Sequence, residues 1–239
     1  MSVLKQWLGS VLFTLYLFFS LPPYAFLVLI TAPFFTRSKS MRIAVAWVES
    51  VFYMLDLLCS LNYSVEGEQH LQGENTVILM KHSSAWETLA QFKLFPEQTW
   101  VLKRELMWAP FLGWALRVFK PIAINRQDGK NAVEQVIEQG CARLKQGLWV
   151  VVFPEGTRVP LGVTKRYGLG GALLAKSAEK PVIPVAHNAG NFWPRRGWLK
   201  RPGTIQVVVG KPIPSVAKSA RSLNEEAQSW IEKTLGELD

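Results

Sequence analysis

The N-terminal part of the chain contains a long uncharged stretch that cannot stay in water. No charged residue occurs from Gln6 to Thr36, and the stretch is dense in Leu, Phe and Val. An apolar run of this length is typical of a membrane segment. It is long for a signal peptide, and no convincing small-residue cleavage site follows it. We therefore expect a membrane-associated N-terminus, with a signal peptide as the less favoured alternative.

Two adjacent prolines lie inside this apolar stretch. Pro22 and Pro23 divide it into two pieces, and each piece is short for crossing a bilayer on its own. A single straight span is possible, but a kinked span or a helical hairpin dipping into one leaflet would also satisfy the backbone. Basic residues flank both ends, so their distribution does not choose between these arrangements. The hairpin would place both basic groups on the cytoplasmic face.

The next segment, from Met41 to Leu61, has the pattern of an amphipathic helix. Arg42, Glu49 and Asp56 recur every seventh residue, opposite an apolar face. That face consists of Ala44, Val48, Val51, Phe52, Leu55, Leu58 and Cys59. Such a helix could lie in the membrane interface or cap the core of the domain that follows, and the sequence favours neither.

After Asn62, short apolar and often β-branched runs alternate with helical stretches. This alternation indicates an α/β fold, with a largely buried sheet flanked by helices. We therefore divide the chain into a membrane-associated helical region, 1–61, and one α/β domain, 62–239. The predicted strands are TVILM, TWVL, PIAI, LWVVVF, VIPVA and TIQVVV, and the predicted helices lie near 85–95, 105–119, 129–146, 169–179 and 222–238.

Composition excludes some classes of function. The 27 Lys and Arg outnumber the 18 Asp and Glu, which suits anionic lipids, phosphates or an acidic partner. No DNA-binding or RNA-binding signature accompanies the charge, so nucleic acid is not an expected partner. Cys59 and Cys141 lack metal-type or redox-type spacing, which indicates a reduced compartment, and we expect no metal site. The glycines of GLGG at 168–171 do not have dinucleotide-loop spacing.

Four polar clusters directly follow predicted strands. They are His82 to Glu87, Asn125 with Arg126, PEGTR at 154–158, and His187 with Asn188. Ligands in open α/β sheets gather beyond the carboxyl ends of strands, so these clusters can converge on one cleft.

The first cluster permits two interpretations. Ser84 and Glu87 match a helix capping box, which needs no catalytic role. Alternatively, the Glu87 carboxylate holds one ring nitrogen of His82 and leaves the other free as a general base. Five residues apart on one regular helix, the two side chains would point away from each other, so the second interpretation requires His82 to lie before the helix.

The PEGTR cluster offers an acceptor and an anion-binding fork. Glu155 and Arg158 follow a strand expected to be central, although PEG alone could be only a turn with a left-handed glycine. Arg126 supplies a second guanidinium, and Lys103 adds positive charge. His187 is a weaker candidate, and His70 lies in a polar loop without an expected role.

Together these motifs resemble the glycerolipid acyltransferase family. His82 to Glu87, PIAINR, FPEGTR and PVIPVA occur in the order and approximate spacing of four motifs of that family. The nearest branch is similar to bacterial lysophosphatidic acid acyltransferases, and the likeness covers roughly residues 62–215. The family usually has Asp five residues after the His, whereas this chain has Glu87.

The resemblance implies a chemistry and a set of site residues. His82 would deprotonate the sn-2 hydroxyl of lysophosphatidate as it attacks the thioester of acyl-carrier protein or acyl-CoA, and Glu87 would orient His82. Arg126 and Arg158 would hold the phosphate, while Glu155 and nearby backbone would shape the pocket. The other expected substrate-binding residues are Lys103, Asn125, Gly156 and Thr157.

The same resemblance implies no cofactor beyond the thioester co-substrate, and a site on the cytoplasmic face of the inner membrane. Two alternatives stay open. The acceptor could be another lysolipid, such as a lyso-ornithine lipid. The protein could also be a catalytically silent membrane-binding scaffold in which Ser84 to Glu87 only caps a helix.

Overall fold

A computed structural model describes residues 3–160 and 162–238, apart from the side chains of Arg126 and Lys130. The chain begins with a single long helix, α1 (Val3–Thr31), which continues through Pro22 and Pro23. A hairpin that turns at these prolines is therefore wrong. By length and composition, α1 is able to cross a membrane.

The second helix, α2 (Arg37–Cys59), packs antiparallel to α1 and supports it on both sides of the prolines. A Cβ added to Gly9 would overlap the carbonyl oxygen of Leu58, near the end of α2. Further along, and still before the prolines, the Trp47 indole donates to the Ser20 hydroxyl at 3.0 Å. Beyond the prolines, Val28 of α1 is buried and lines one apolar cavity together with Trp47. Contacts on both sides of the prolines explain why the loss of their N–H donors does not end the helix.

The apolar face predicted for α2 faces the protein core. Val48, Val51 and Leu55 are buried, whereas the charged residues on the opposite face are exposed. The helix therefore covers the core of the domain that follows, which is the second of the two placements considered for it. It starts four residues earlier than predicted because the Thr36 hydroxyl accepts from the Lys39 N–H and caps it.

Within the described residues, seven strands form one sheet in the order β1-β7-β6-β2-β5-β3-β4. Among these seven described strands, β6 and β7 pair antiparallel and the other neighbours pair parallel. The strands are β1 (Leu61–Glu66), β2 (Val77–Met80), β3 (Gln98–Lys103), β4 (Ile122–Ile124), β5 (Trp149–Val152), β6 (Val182–His187) and β7 (Gly203–Val209).

Helices cover both faces of this sheet, so the fold is the expected α/β architecture with a buried sheet. The helices after α2 are α3 (Trp86–Leu94), α4 (Leu112–Val118), α5 (Lys130–Lys145), α6 (Gly170–Ser177), α7 (Ala189–Phe192) and α8 (Ala220–Glu237). One hydrophobic core lies between helices α1, α2, α3 and α4 and the sheet face on which β2 carries Ile78 and Met80. The other joins α5, α6 and α8 to Val77 and Leu79. This alternation explains why β2 is apolar at every position.

Several short elements were not predicted. β1 has the sequence LNYSVE, whose alternation of apolar and polar residues matches its half-buried place at the sheet edge. The four-residue α7 lies between the predicted strands VIPVA and TIQVVV, where no helix is predicted. Short 3₁₀ helices occupy Glu68–Leu71 and Arg126–Asp128, and a third, Arg104–Trp108, replaces the first part of the helix predicted near 105–119, of which α4 is the rest.

Candidate active site

Three of the four polar clusters meet at one edge of the sheet. β2 pairs in parallel with β5 on one side and with β6 on the other, so their carboxyl ends lie together. His82 follows β2, the 154–158 segment follows β5, and His187 ends β6. Asn125 follows β4 at the same edge, but β3 separates β4 from β5.

The His82 ring contacts the Glu87 carboxylate directly. The distance from His82 Nδ1 to Glu87 Oε1 is 2.8 Å, and both side chains are almost entirely buried. α3 begins at Trp86, so His82 lies before the helix and Glu87 lies in its first turn. This placement meets the geometric condition that the five-residue spacing imposed.

Glu87 also accepts hydrogen bonds from the backbone before α3. Its Oε1 accepts from the N–H groups of Ser83 at 3.0 Å and Ser84 at 2.8 Å. The carboxylate therefore makes the backward contact of a capping box and holds the imidazole at the same time. The Ser84 hydroxyl accepts from the Trp86 N–H and donates to the Trp193 carbonyl. The two interpretations of this motif are not exclusive.

The charged form of Glu87 is favoured in this environment. Burial alone would raise the pKa of the carboxyl group, but the hydrogen bond from His82, the nearby imidazoles and the Ser84 N–H outweigh burial and lower it. An ionised Glu87 fixes the proton of His82 on Nδ1 and leaves Nε2 with its lone pair.

The backbone and ring of His82 are held from several sides. Its N–H donates to Glu155 Oε1 at 3.2 Å, and its carbonyl accepts from the Val159 N–H at 2.8 Å. The Phe153 ring stacks on the imidazole with centroids 4.3 Å apart. No group among the described residues hydrogen bonds to Nε2, and 11 % of the side chain stays exposed. The ring is therefore fixed in position without being sealed.

His187 has a supporting place beneath this pair. It is fully buried, its Nε2 donates to the Lys81 carbonyl at 2.8 Å, and its Nδ1 accepts from the Ala189 N–H. Burial lowers the pKa of His187, which agrees with a neutral ring making these two bonds. Both nitrogens are occupied by backbone, so we assign His187 a structural role.

A buried lysine links the site to the C-terminal helix. Lys81 Nζ lies 2.6 Å from Glu232 on α8 and 3.5 Å from Glu155 Oε1. Tyr167 also donates to Glu232, at 3.2 Å. Burial raises the pKa of Glu155 to about 7, although Lys81 opposes the shift. Its Oε2 is buried and has no partner among the described groups.

The segment after β5 forms the turn that the sequence allowed. The Gly156 N–H donates to the Phe153 carbonyl at 3.0 Å, and Gly156 has a φ of +68°. Thr157 and Arg158 are half-buried, and the Arg158 carbonyl accepts from Arg195. The turn thus places Glu155 against His82 and leaves Arg158 partly exposed.

The remaining predicted site residues lie further along the same edge. Lys103 ends β3, is exposed, and pairs with Glu105 at 3.1 Å. The Asn125 side chain accepts from the Gln127 N–H and caps the short 3₁₀ helix there. The Arg126 side chain lies outside the described residues, so its predicted phosphate contact stays a prediction.

Three participants were missed from the sequence. Lys81 and Glu232 are 151 residues apart, and no local pattern connects them. The sequence predicts Phe153 as the end of a strand and does not show that its ring stacks on His82. For Lys81 the sequence did offer a signal, because a lysine between an apolar strand and His82 is expected to lie in the site. No group of three or more His, Cys, Asp or Glu able to hold a metal occurs among the described residues.

Comparisons with known proteins agree on one family. A family model described as "Acyltransferase" matches residues 62–188. A 1-acyl-sn-glycerol-3-phosphate acyltransferase of Pseudomonas aeruginosa is 41 % identical over 205 residues, covering 84 % of this chain and 80 % of that protein. The human 1-acyl-sn-glycerol-3-phosphate acyltransferase beta is 27 % identical over 67 % of this chain and 59 % of its own length.

A solved structure supports the fold. The crystal structure of the 1-acyl-sn-glycerophosphate acyltransferase of Thermotoga maritima matches with a TM-score of 0.82 at 20 % identity. The match covers 99 % of this chain and 97 % of that one. The helical pair at the N-terminus is therefore part of the shared architecture.

Proposed function

The chain belongs to the acyltransferase family, and we propose from this premise that it transfers an acyl chain from a thioester to the sn-2 hydroxyl of lysophosphatidate. The product is phosphatidate. The observation that carries the proposal is the 2.8 Å contact between His82 and Glu87, which leaves Nε2 of the imidazole unbonded among the described residues. The 41 % identical relative from Pseudomonas supports the choice of acceptor.

The mechanism follows from the protonation state that Glu87 imposes. His82 Nε2 takes the proton of the acceptor hydroxyl while its oxygen forms a bond to the thioester carbonyl carbon. The carbon–sulfur bond then breaks, and the imidazolium returns the proton to the departing thiolate. Glu87 stabilises the imidazolium between these steps, and no acyl-enzyme is needed.

The positive groups along the same edge suit the acceptor's phosphate. Arg158 follows the turn that contacts His82, and Arg126 and Lys103 lie at the ends of β4 and β3. Guanidinium groups bind phosphate with paired hydrogen bonds, so we assign Arg126 and Arg158 to the phosphate and Lys103 to a supporting charge. Asn125, Gly156 and Thr157 complete the proposed pocket through their backbone and turn positions.

The donor and the location form a further part of the proposal. An acyl-carrier protein or a CoA thioester is the co-substrate, and the excess of 27 basic over 18 acidic residues favours either anion. The apolar α1 associates the protein with the membrane in which acceptor and product reside. We place the site on the cytoplasmic face of the membrane, where these thioesters are available.

A thioester-release assay tests the function. Purified protein receives acyl-CoA or acyl-carrier protein with lysophosphatidate, and the free thiol is measured. Wild type should release thiol, and His82→Ala should lose activity by about 10²–10⁴-fold while still folding and unfolding cooperatively in a thermal melt. His70→Ala is the matched control, because that ring hydrogen bonds to the Val209 carbonyl at the end of β7 rather than to a residue of the proposed site.

The alternatives give different results in the same assay. Equal use of a phosphate-free acceptor, such as a lyso-ornithine lipid, would remove the phosphate assignment of the arginines. Activity that survives in His82→Ala would contradict the mechanism. A silent scaffold would release no thiol with any acceptor while still binding membranes.

A further inference from the structure

The segment that runs from the end of β3 into the first turn of α4 exposes large apolar side chains, as α1 does. Trp108, Phe111 and Trp114 are 63 %, 56 % and 48 % exposed, and Leu106 is exposed as well. We call residues 104–114 the aromatic segment. Soluble surfaces rarely concentrate such side chains, so this patch indicates a contact with an apolar partner.

The aromatic segment is a structured feature of the fold. The Gly113 N–H donates to the Ala109 carbonyl at 2.7 Å, and a Cβ on Gly113 would overlap the carbonyl oxygen of Met107. Phe111 has a φ of +60°, which is unfavourable for a residue with a side chain. The turn therefore keeps an aromatic residue at a strained and exposed position, where a glycine would relieve the strain.

The charges around the aromatic segment are mostly positive. Four exposed basic residues stand within or beside it against a single acidic one, Glu105. The basic residues are Lys103, Arg104, Arg117 and Lys120. Tryptophan prefers the headgroup region of a bilayer, and basic side chains beside it attract anionic lipids.

The aromatic segment is continuous with the apolar helix α1. The inner face of α4 packs against α1, and together with α2 they line a small apolar cavity of about 60 Å³. Its lining includes Tyr24 and Val28 from α1 and Leu112 and Leu116 from α4. α1 also leaves its own large apolar side chains exposed. One apolar surface therefore runs from α1 onto the aromatic segment.

We propose that the aromatic segment docks into the headgroup region of an anionic bilayer and forms a second membrane contact beside α1. The segment follows β3 directly, and the end of β3 lies at the sheet edge that carries His82. Docking there brings that edge to the lipid surface, where a lysolipid acceptor can enter. Only this last consequence rests on the proposed function.

Site-directed labelling tests the contact without an activity measurement. An environment-sensitive fluorophore is attached at Trp108→Cys or Phe111→Cys in the full chain, with Cys141 replaced by Ser; Cys59 is buried. Gln146→Cys is the control, because this exposed residue precedes β5 at the opposite edge of the sheet. The protein is reconstituted in vesicles of phosphatidylcholine with or without phosphatidylglycerol.

In the mixed vesicles, the labels at 108 and 111 should shift to the blue and lose iodide quenching by about threefold, whereas the label at 146 should stay accessible. The shift should be smaller without phosphatidylglycerol. Equal quenching at all three positions would overturn the proposal. A response to acyl-carrier protein alone, without vesicles, would do the same and would assign the segment to a protein partner.

A kinetic arm measures the consequence for lipid entry. The double variant Trp108→Ser/Trp114→Ser should raise KM for vesicle-borne lysophosphatidate about tenfold and leave turnover of a soluble short-chain acceptor unchanged. Val216→Ser is the control, since this exposed residue lies in the loop before α8. If no acceptor is turned over, the proposed function fails and the labelling result still decides the docking.

Discussion

The substitution Glu87→Gln separates the helix-capping contact of one carboxylate from the catalytic role that we propose for it. Glutamine is as suitable as glutamate for the backward contact of a capping box, so a capping role predicts little change in activity. The catalytic role needs a negative charge 2.8 Å from His82 Nδ1. Removing only the charge therefore tests the chemistry while it preserves the length of the side chain.

The geometry sets the expected magnitude. In the wild-type structure the Ser84 N–H lies 3.1 Å from Glu87 Oε2. If the amide oxygen of the substituted side chain faces His82, its NH₂ group takes the place of Oε2 and two donors, this NH₂ and the Ser84 N–H, face each other. If the amide turns over, its NH₂ meets His82 Nδ1 and moves the ring proton to Nε2, which removes the base. We expect kcat to fall by about 10²–10⁴-fold, which corresponds to about 3–5 kcal/mol in the barrier. One unpaired buried donor should reduce stability by about 1–3 kcal/mol.

The assay is thiol release at saturating substrates, alongside a thermal melt. Glu87→Asp serves as the companion variant, because it keeps the charge but withdraws it by about 1.5 Å from His82. Both variants should be slow, and only Glu87→Gln loses the charge. A Glu87→Gln enzyme with near wild-type kcat would refute the catalytic role and leave Glu87 as a helix cap, whatever the change in its melt.

Three further predictions concern other residues of the site and of the fold. Lys81 holds down the pKa of Glu155, which burial raises to about 7, so Lys81→Met should raise that pKa further. The acid limb of the pH dependence of kcat/KM should then move to higher pH, and an unmoved limb would show that ionisation of Glu155 does not control activity. Gly9→Ala should separate α1 from α2 and cost about 1–3 kcal/mol in a denaturant melt, whereas Gly73→Ala, which has open space around it, should cost little. Arg158→Lys should raise KM for lysophosphatidate but not for a phosphate-free acceptor, because lysine cannot make the paired hydrogen bonds of arginine to phosphate. An equal rise for both acceptors would contradict the proposal that Arg158 binds the phosphate.

The sequence was sufficient for the elements whose pattern is local. The strand runs around Val77 and Val150 are apolar because helices cover both faces, and that continuity marks them without any structure. β1 was not predicted because its alternating LNYSVE sequence begins at Leu61, which the apolar spacing of α2 had included as the last residue of the predicted helix. The order of the strands depends on long-range pairing, which no local period encodes.

The location of the site was predictable because the carboxyl ends of neighbouring parallel strands lie side by side. That rule brought His82 and Glu155 together, and the structure gives a hydrogen bond between the His82 N–H and the Glu155 carboxylate. It could not identify Glu232, because α8 reaches the site through packing on the sheet rather than from a strand end. It also could not show that His187 uses both ring nitrogens on backbone groups.

The extra methylene of Glu87, relative to the aspartate that the family resemblance leads one to expect, has a place in this geometry. Glu87 is the second residue of α3, and its carboxylate must reach back over the N–H groups of Ser83 and Ser84 to meet a ring that lies before the helix. A shorter side chain at the same helix position would stop short of either the backbone or the ring. The start of α3 and the length of residue 87 are therefore coupled. A chain with aspartate there must begin this helix differently or bring its histidine closer.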